Sequence, residues 1–284
     1  MTEPMVERFE TAFPVRPWLR DHHFLGQAVL PMVTAIDFLA ALTLEKFPEI
    51  DGTRLEKAIF QKLLVISEND SLPVFVELER LDDKRLRAAL LTKKSGAVSR
   101  LLRHAEVVFG GEANAATELS FPAAAHGTNG IKGPRRAVAS EKIYTELVPF
   151  GKNFQTLHGK LYLQGDTASG TLIAPDLPFS CRALPNPFLL DGAMHAACVH
   201  GQTFCGFVPF PAGFAAMKVK NAHSLQKPGR LYQTHCRLTE KTVNELRYDL
   251  RIDGDDGAIE LSSLVMRDIS GGALQPPLWI RQFP

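Results

Sequence analysis

Residues 21–44 read DHHFLGQAVLPMVTAIDFLAALTL. From about Pro31 to Leu44 the segment carries Val33, Ile36, Phe38, Leu39, Ala40, Ala41, Leu42 and Leu44, so apolar side chains surround it on almost every side. That pattern predicts a helix enclosed by other structure, with Pro31 pre-set for its first turn. A second helix of the same character begins near Pro187 and runs through Leu189, Leu190, Ala193, Met194, Ala196, Ala197 and Val199. Each is followed by a set of strand-like runs separated by turn residues. After the first come 58–66, 74–81, 85–92 and 98–109, and after the second come 215–222, 230–238, 245–252 and 258–269. A short buried helix followed by three or four antiparallel strands, met twice, is a structural repeat. It predicts an α+β fold, two helix-wrapped antiparallel sheets in one chain, or a double hotdog. The expected division is an N-terminal hotdog at 1–121, a linker at 122–137 rich in Ala, Gly and Pro, and a C-terminal hotdog at 138–284. Ser140 reads as the N-cap of a short helix at the start of the second unit.

Composition narrows the function. Lys and Arg total 32 against 31 Asp and Glu, a balance that argues against nucleic acid or an anionic membrane as the main partner. The first residues contain no apolar signal segment, and the longest apolar run, Val29–Leu44, is interrupted by Pro31 and Asp37 and too short for a bilayer. A soluble, cytoplasmic protein is expected. The four cysteines, Cys181, Cys198, Cys205 and Cys236, include no C-x-x-C pair. His195, Cys198, His200 and Cys205 lack the paired spacing of a zinc site, so no metal is expected. Basic spots at Lys93-Lys94, Arg100, Arg103 and Arg135-Arg136 read as solvated surface.

Two motifs carry chemistry. His22, Gly26 and Pro31 form H-x-x-x-G-x-x-x-x-P, and Asp191 and His195 form D-x-x-x-H one helical turn apart. An imidazole exchanges protons near neutral pH and suits removal of a proton next to a thioester carbonyl. Asp191 lies among Phe188, Leu189, Leu190 and Met194, where desolvation would disfavour its charged form and let it act as an acid toward a departing hydroxyl. Gly26 would admit close backbone approach, and an N–H near it, at the head of the first helix, would stabilise the enolate-like oxygen. His195 either orients Asp191, holds the leaving hydroxyl, or is a satisfied core histidine. Only His22, and not the adjacent His23, has the spacing to Gly26 and Pro31.

With those residues on the page, the chain resembles the dehydratase domains of polyketide synthases, with relatives in polyunsaturated fatty acid synthases and animal fatty acid synthase. Four matches carry the resemblance in order. They are His22-x-x-x-Gly26-x-x-x-x-Pro31, Phe150-Gly151-Lys152-Asn153-Phe154 against a Y-G-P-x-F segment, Asp191-x-x-x-His195 against D-x-x-x-Q/H, and Val208-Pro209-Phe210 against L-P-F. The resemblance implies a histidine and aspartate as catalytic pair, substrate-binding roles for Gly26, Pro31, Phe150, Gly151, Phe154 and Phe210, and a substrate carried on the phosphopantetheine of an acyl carrier protein. It implies no other cofactor. Partners would be the carrier, other domains of a multienzyme synthase, and in some members a second copy. The chain departs from the pattern at Phe150, Lys152, Met32, Val33, Pro211 and Ala212, and the Pro31-Met32 pair with the bulky Val33-Ile36-Phe38 face points toward the lipid-synthase or iterative branch. Met1 and Pro284 read as the limits of a piece of a larger synthase. The alternatives are a double-bond isomerase, a product-template-like cyclase, a thioesterase, or a catalytically silent carrier-binding module.

Overall fold

The computed structural model describes residues 6–94, 100–111 and 134–282. The front half contains β1 (Val6–Pro14), a short hairpin of β2 (His23–Phe24) and β3 (Gln27–Ala28), the front helix (Met32–Lys46), β4 (Arg54–Phe60), β5 (Ser71–Arg80), β6 (Arg85–Lys94) and β7 (Arg100–Gly110). The rear half contains β8 (Arg136–Ala139), β9 (Leu157–Gln164), β10 (Thr167–Ile173), the rear helix (Pro187–Gly201), β11 (Phe210–Phe214), β12 (Ala216–Lys220), β13 (Leu231–Lys241), β14 (Glu245–Asp253) and β15 (Ala258–Arg267). Apart from the β2–β3 hairpin, these strands form one 13-stranded antiparallel sheet. Its order is β1-β5-β6-β7-β4-β11-β15-β14-β13-β10-β9-β8, with β12 pairing both β15 and β4. The halves therefore meet along a backbone seam, where Ile59 and Ala58 face Gly213 and Phe214, and Leu55 and Arg54 face Met217 and Lys218. This is the expected double hotdog.

Alternation places the core. Val74, Val76 and Leu78 of β5, Leu86, Ala88 and Leu90 of β6, and Leu246, Tyr248, Leu250 and Ile252 of β14 are all buried, one residue in two, as a half-covered strand requires. The sheet curves around the two helices, which touch each other. Both helices are enclosed because neither has a polar stripe. The one buried charge of the front helix, Asp37, is 3% exposed, and its carboxylate accepts N–H bonds from Ser180 (2.6 Å) and Cys181 (2.8 Å) in the rear half. Burial raises its pKa, and those two donors oppose the rise. The rear helix starts where Asn186 Oδ1 accepts the N–H of Phe188 at 3.1 Å, with Pro187 in the first position.

Within the rear helix, Gly192 lies so close to β10 that a Cβ would overlap Thr156 and Leu172. A Gly192→Ala variant is expected to lose about 1–3 kcal/mol through overpacking, despite alanine's better helix propensity. Chemical denaturation checks this, the expected result being a lower midpoint with an unchanged slope.

Several boundaries differ from expectation. Pro31 is the N-cap of the front helix, not a residue of its first turn, and the helix begins at Met32. Ala139, not Ser140, caps the short helix Ser140–Lys142, which continues directly into a π-helical turn, Ile143–Leu147. The strand read over 58–66 ends at Phe60, with one further bond to β7 from Gln61 N–H to His104 O at 3.0 Å. Its remainder bonds instead to the hairpin region, Leu30 N–H to Leu64 O at 2.8 Å and Ile66 N–H to Ala28 O at 2.9 Å. Strands β1, β8, β9, β10 and β11 were not foreseen. Most of the expected linker, and the start of the run at 98, lie outside the described residues, and β8 already begins at Arg136.

Candidate active site

His22 closes the 3-10 turn Pro17–Asp21 and opens the β2–β3 hairpin. Its N–H donates to Leu19 O (3.1 Å), and its carbonyl accepts the N–H of Val29 (3.0 Å). The ring Nδ1 lies 3.0 Å from Val29 O. A carbonyl only accepts, so Nδ1 carries the hydrogen and Nε2 keeps its lone pair. Burial lowers the imidazole pKa to about 4, against the opposing pull of Asp191, so His22 is unprotonated at neutral pH. His23, next along, is exposed on β2.

The preceding residue sets what stands opposite the ring. Asp21 accepts hydrogen bonds at Oδ2 from the backbone (3.1 Å) and side-chain (2.7 Å) N–H groups of Asn153, and its carbonyl accepts the N–H of Gly151 at 2.8 Å. Gly151 is small for this reason, since a Cβ there would overlap the Asp21 side chain. The latch brings Phe150 against His22, ring centroids 4.3 Å apart, with Phe154 5.2 Å from His22. Asp21→Ala should therefore lower kcat/KM by roughly tenfold to a hundredfold through misplacement of this wall. It should also lower stability by about 1–3 kcal/mol. Steady-state kinetics and thermal unfolding of the variant measure the two effects.

From the rear helix, Asp191 and His195 are both buried and one turn apart, with His195 Nε2 3.0 Å from Asp191 Oδ2. The pair is close but poorly aligned, so both atoms keep unfilled hydrogen-bonding capacity. Phe150 stands between the two histidines, its centroid 5.2 Å from that of His195. On the far side of His195, Tyr144 Oη lies 3.3 Å from Nδ1 and accepts the N–H of Leu157 at 2.8 Å.

A cavity of about 260 Å³ joins these groups. His22 enters it from the front half, and Asp191, His195 and Phe150 from the rear half. Leu30, Met32, Phe60, Val148, Met194, Cys198 and Phe210 supply most of its apolar wall. Gln61, Lys62 and Leu63, all exposed, mark its solvent end. Phe210 is braced edge-on by Phe24 at 5.1 Å.

Four expected substrate contacts sit elsewhere. Gly26 is exposed in the hairpin turn at φ 79°, beside Leu25 at φ 48°, with nothing within 4 Å of a would-be Cβ. The turn needs its positive φ. Pro31 is buried as a helix cap, between the cavity-lining Leu30 and Met32. Gly151 faces Asp21, and Phe154 packs behind His22 against Trp18 and Phe188. Two contributors went unread in the sequence, Asp21 and Tyr144. The signal for the first was its place immediately before His22, and for the second a tyrosine six residues before Phe150 in an otherwise unremarkable short helix. His200, weighed earlier as a metal ligand, turns to Tyr248 Oη (3.0 Å) and Gly165 O (3.2 Å).

No curated protein matches the sequence. A family model described as polyketide synthase dehydratase domain matches residues 2–93. Among solved structures, the dehydratase domain of a mycocerosic acid synthase-like polyketide synthase superposes with a TM-score of 0.69 at 16% identity, covering 94% of this chain and 93% of that one. The dehydratase domain of RzxB from Pseudomonas fluorescens gives 0.68 at 20% identity, covering 92% and 94%. That of PpsC from Mycobacterium tuberculosis, in complex with C12:1-CoA, gives 0.66 at 15% identity, covering 92% and 93%. Within the double-hotdog class, the chain has the fold of the polyketide synthase dehydratase domains. Among the described residues, no helix is long and apolar enough to cross a membrane.

Proposed function

We propose that this chain removes water from a 3-hydroxyacyl thioester to give a 2-enoyl thioester. The substrate would ride on the phosphopantetheine arm of an acyl carrier protein within a cytoplasmic polyketide or fatty acid synthase, and the chain would need no cofactor of its own. One observation carries the reading: the lone pair of His22 Nε2 and the Asp191–His195 pair address the same apolar cavity from opposite halves.

The geometry supports the following sequence. His22 Nε2 takes the proton from the carbon beside the thioester carbonyl. The electron pair forms the carbon–carbon double bond as the bond to the β-hydroxyl breaks, and Asp191 delivers a proton to the departing oxygen, with His195 holding it. Exchange with solvent returns the proton from His22 and restores Asp191. The front helix starts at the cavity-lining Met32 without a side-chain cap. Its first-turn N–H groups, which a helix leaves without intrahelical partners, would put partial positive charge near the thioester oxygen as it gains electron density. A channel of about 260 Å³ is at the small end of small-molecule clefts, which favours a linear acyl chain over a folded poly-β-keto chain.

The test uses 3-hydroxyacyl and 2-enoyl N-acetylcysteamine thioesters, followed by mass spectrometry in both directions. Interconversion by loss and gain of water supports the proposal. Migration of the double bond alone would make the protein an isomerase. Binding at saturation without any turnover would make it a carrier-binding module.

A further inference from the structure

Position 150 is Phe and offers the site no hydroxyl, yet a phenol reaches His195 from Tyr144. Its route is the π-helical turn Ile143–Leu147, a rare geometry that is frequent at functional sites. Tyr144 is 6% exposed and lies edge-on to His195, centroids 5.8 Å apart at 80°. Its oxygen accepts the N–H of Leu157 at 2.8 Å and sits 3.3 Å from His195 Nδ1. Burial holds the phenol pKa well above its ordinary value, so the group keeps its hydrogen. With one lone pair taken by Leu157, that hydrogen can be given to Nδ1. An Nδ1 that accepts forces the ring hydrogen of neutral His195 onto Nε2, the atom 3.0 Å from Asp191 Oδ2. The donors then run one way, Leu157 N–H to Tyr144 and Tyr144 O–H to His195, which leaves the Nε2 hydrogen of His195 beside Asp191 Oδ2 at 3.0 Å.

We infer that Tyr144 is a positioning residue that fixes the tautomer and plane of His195, so that Nε2–H faces Asp191 and the leaving hydroxyl. The inference deepens the proposed dehydration, but its first test does not depend on that activity. Nitrogen-15 NMR of histidine-labelled protein, with His195 assigned by its loss in His195→Gln, should show Nε2 protonated and Nδ1 as acceptor. In Tyr144→Phe the ring should become a mixture of tautomers. A protonated Nδ1 in the unaltered protein overturns the inference even if the variant fails to fold, and so does an unchanged ring in a folded variant.

The second test is kinetic. Tyr144→Phe should lower kcat about tenfold, the size of one hydrogen bond to an oriented group, with KM within about twofold. Added to His195→Gln, it should cost less than about twofold, because the residue it acts through is gone. An equal loss in both backgrounds would assign Tyr144 to packing alone. Absence of dehydration in every protein, beside the expected NMR result, would sink the proposed reaction and leave this role standing.

Discussion

His22→Ala should lower turnover of a 3-hydroxyacyl thioester by roughly a thousandfold, within the range that a positioned general base contributes. The loss belongs to kcat, since the apolar wall that binds the acyl chain is untouched. The fold should survive, because the backbone bonds of residue 22 to Leu19 and Val29 remain. Retention of full activity by this variant would remove the base from the mechanism. Acidity provides an independent check. With a pKa of about 4, His22 stays unprotonated through the neutral range, so its limb of the pH–rate profile should fall only as the pH approaches that value. Stability follows the same group. The unfolded chain, with the ordinary value of 6.5, binds the proton first, so the contribution of His22 is full above about 6.5 and is lost as pH falls toward about 4. His200, held down to about 4 by burial, adds a parallel loss. Thermal unfolding of His22→Ala against pH should therefore show a shallower acid decline than the unaltered protein, not a flat one.

Asp191→Asn should cost roughly a hundredfold to a thousandfold in kcat with little change in KM. Asparagine fills the same volume in the rear helix but cannot hand a proton to the leaving oxygen. The buried site keeps an acceptor for His195 Nε2, so the folded structure is retained, and circular dichroism with thermal unfolding verifies that. A double variant with His22→Ala should be far less impaired than the product of the two losses, because the two groups act in one concerted event. Loss of thioester binding in Asp191→Asn, with chemistry intact in the remainder, would instead make Asp191 a docking residue.

What could be read from the sequence was whatever local chemistry encodes. Both helices were legible because apolar residues encircle them, and the strands following them because hydrophobic alternation continues for seven or more residues. The strand at 6–14 was missed because it pairs at an edge, where only part of one face is covered. The run at 58–66 was drawn too long because its apolar residues continue past Phe60, although their hydrogen bonds go to the hairpin. In the site, His22, Asp191 and Phe150 fall on one cavity, as the motif spacing suggested they would. Gly26 did not, since a motif glycine states a backbone need without saying whether a turn or a ligand imposes it. Tyr144 and Asp21 had no motif to mark them. Their partners lie 51 and 132 residues away, and no local period reports such pairings.

The seam between β4 and the β11–β12 pair has a mechanical consequence. Because the two halves share backbone hydrogen bonds in the middle of a single sheet, neither can swing on the other to admit a guest. The span from imidazole to carboxyl is thereby fixed by the sheet. Breathing of the entrance is left to the hairpin carrying Phe24 and to the stretch from Leu64 to Ile66, which are joined to each other and not woven into the large sheet.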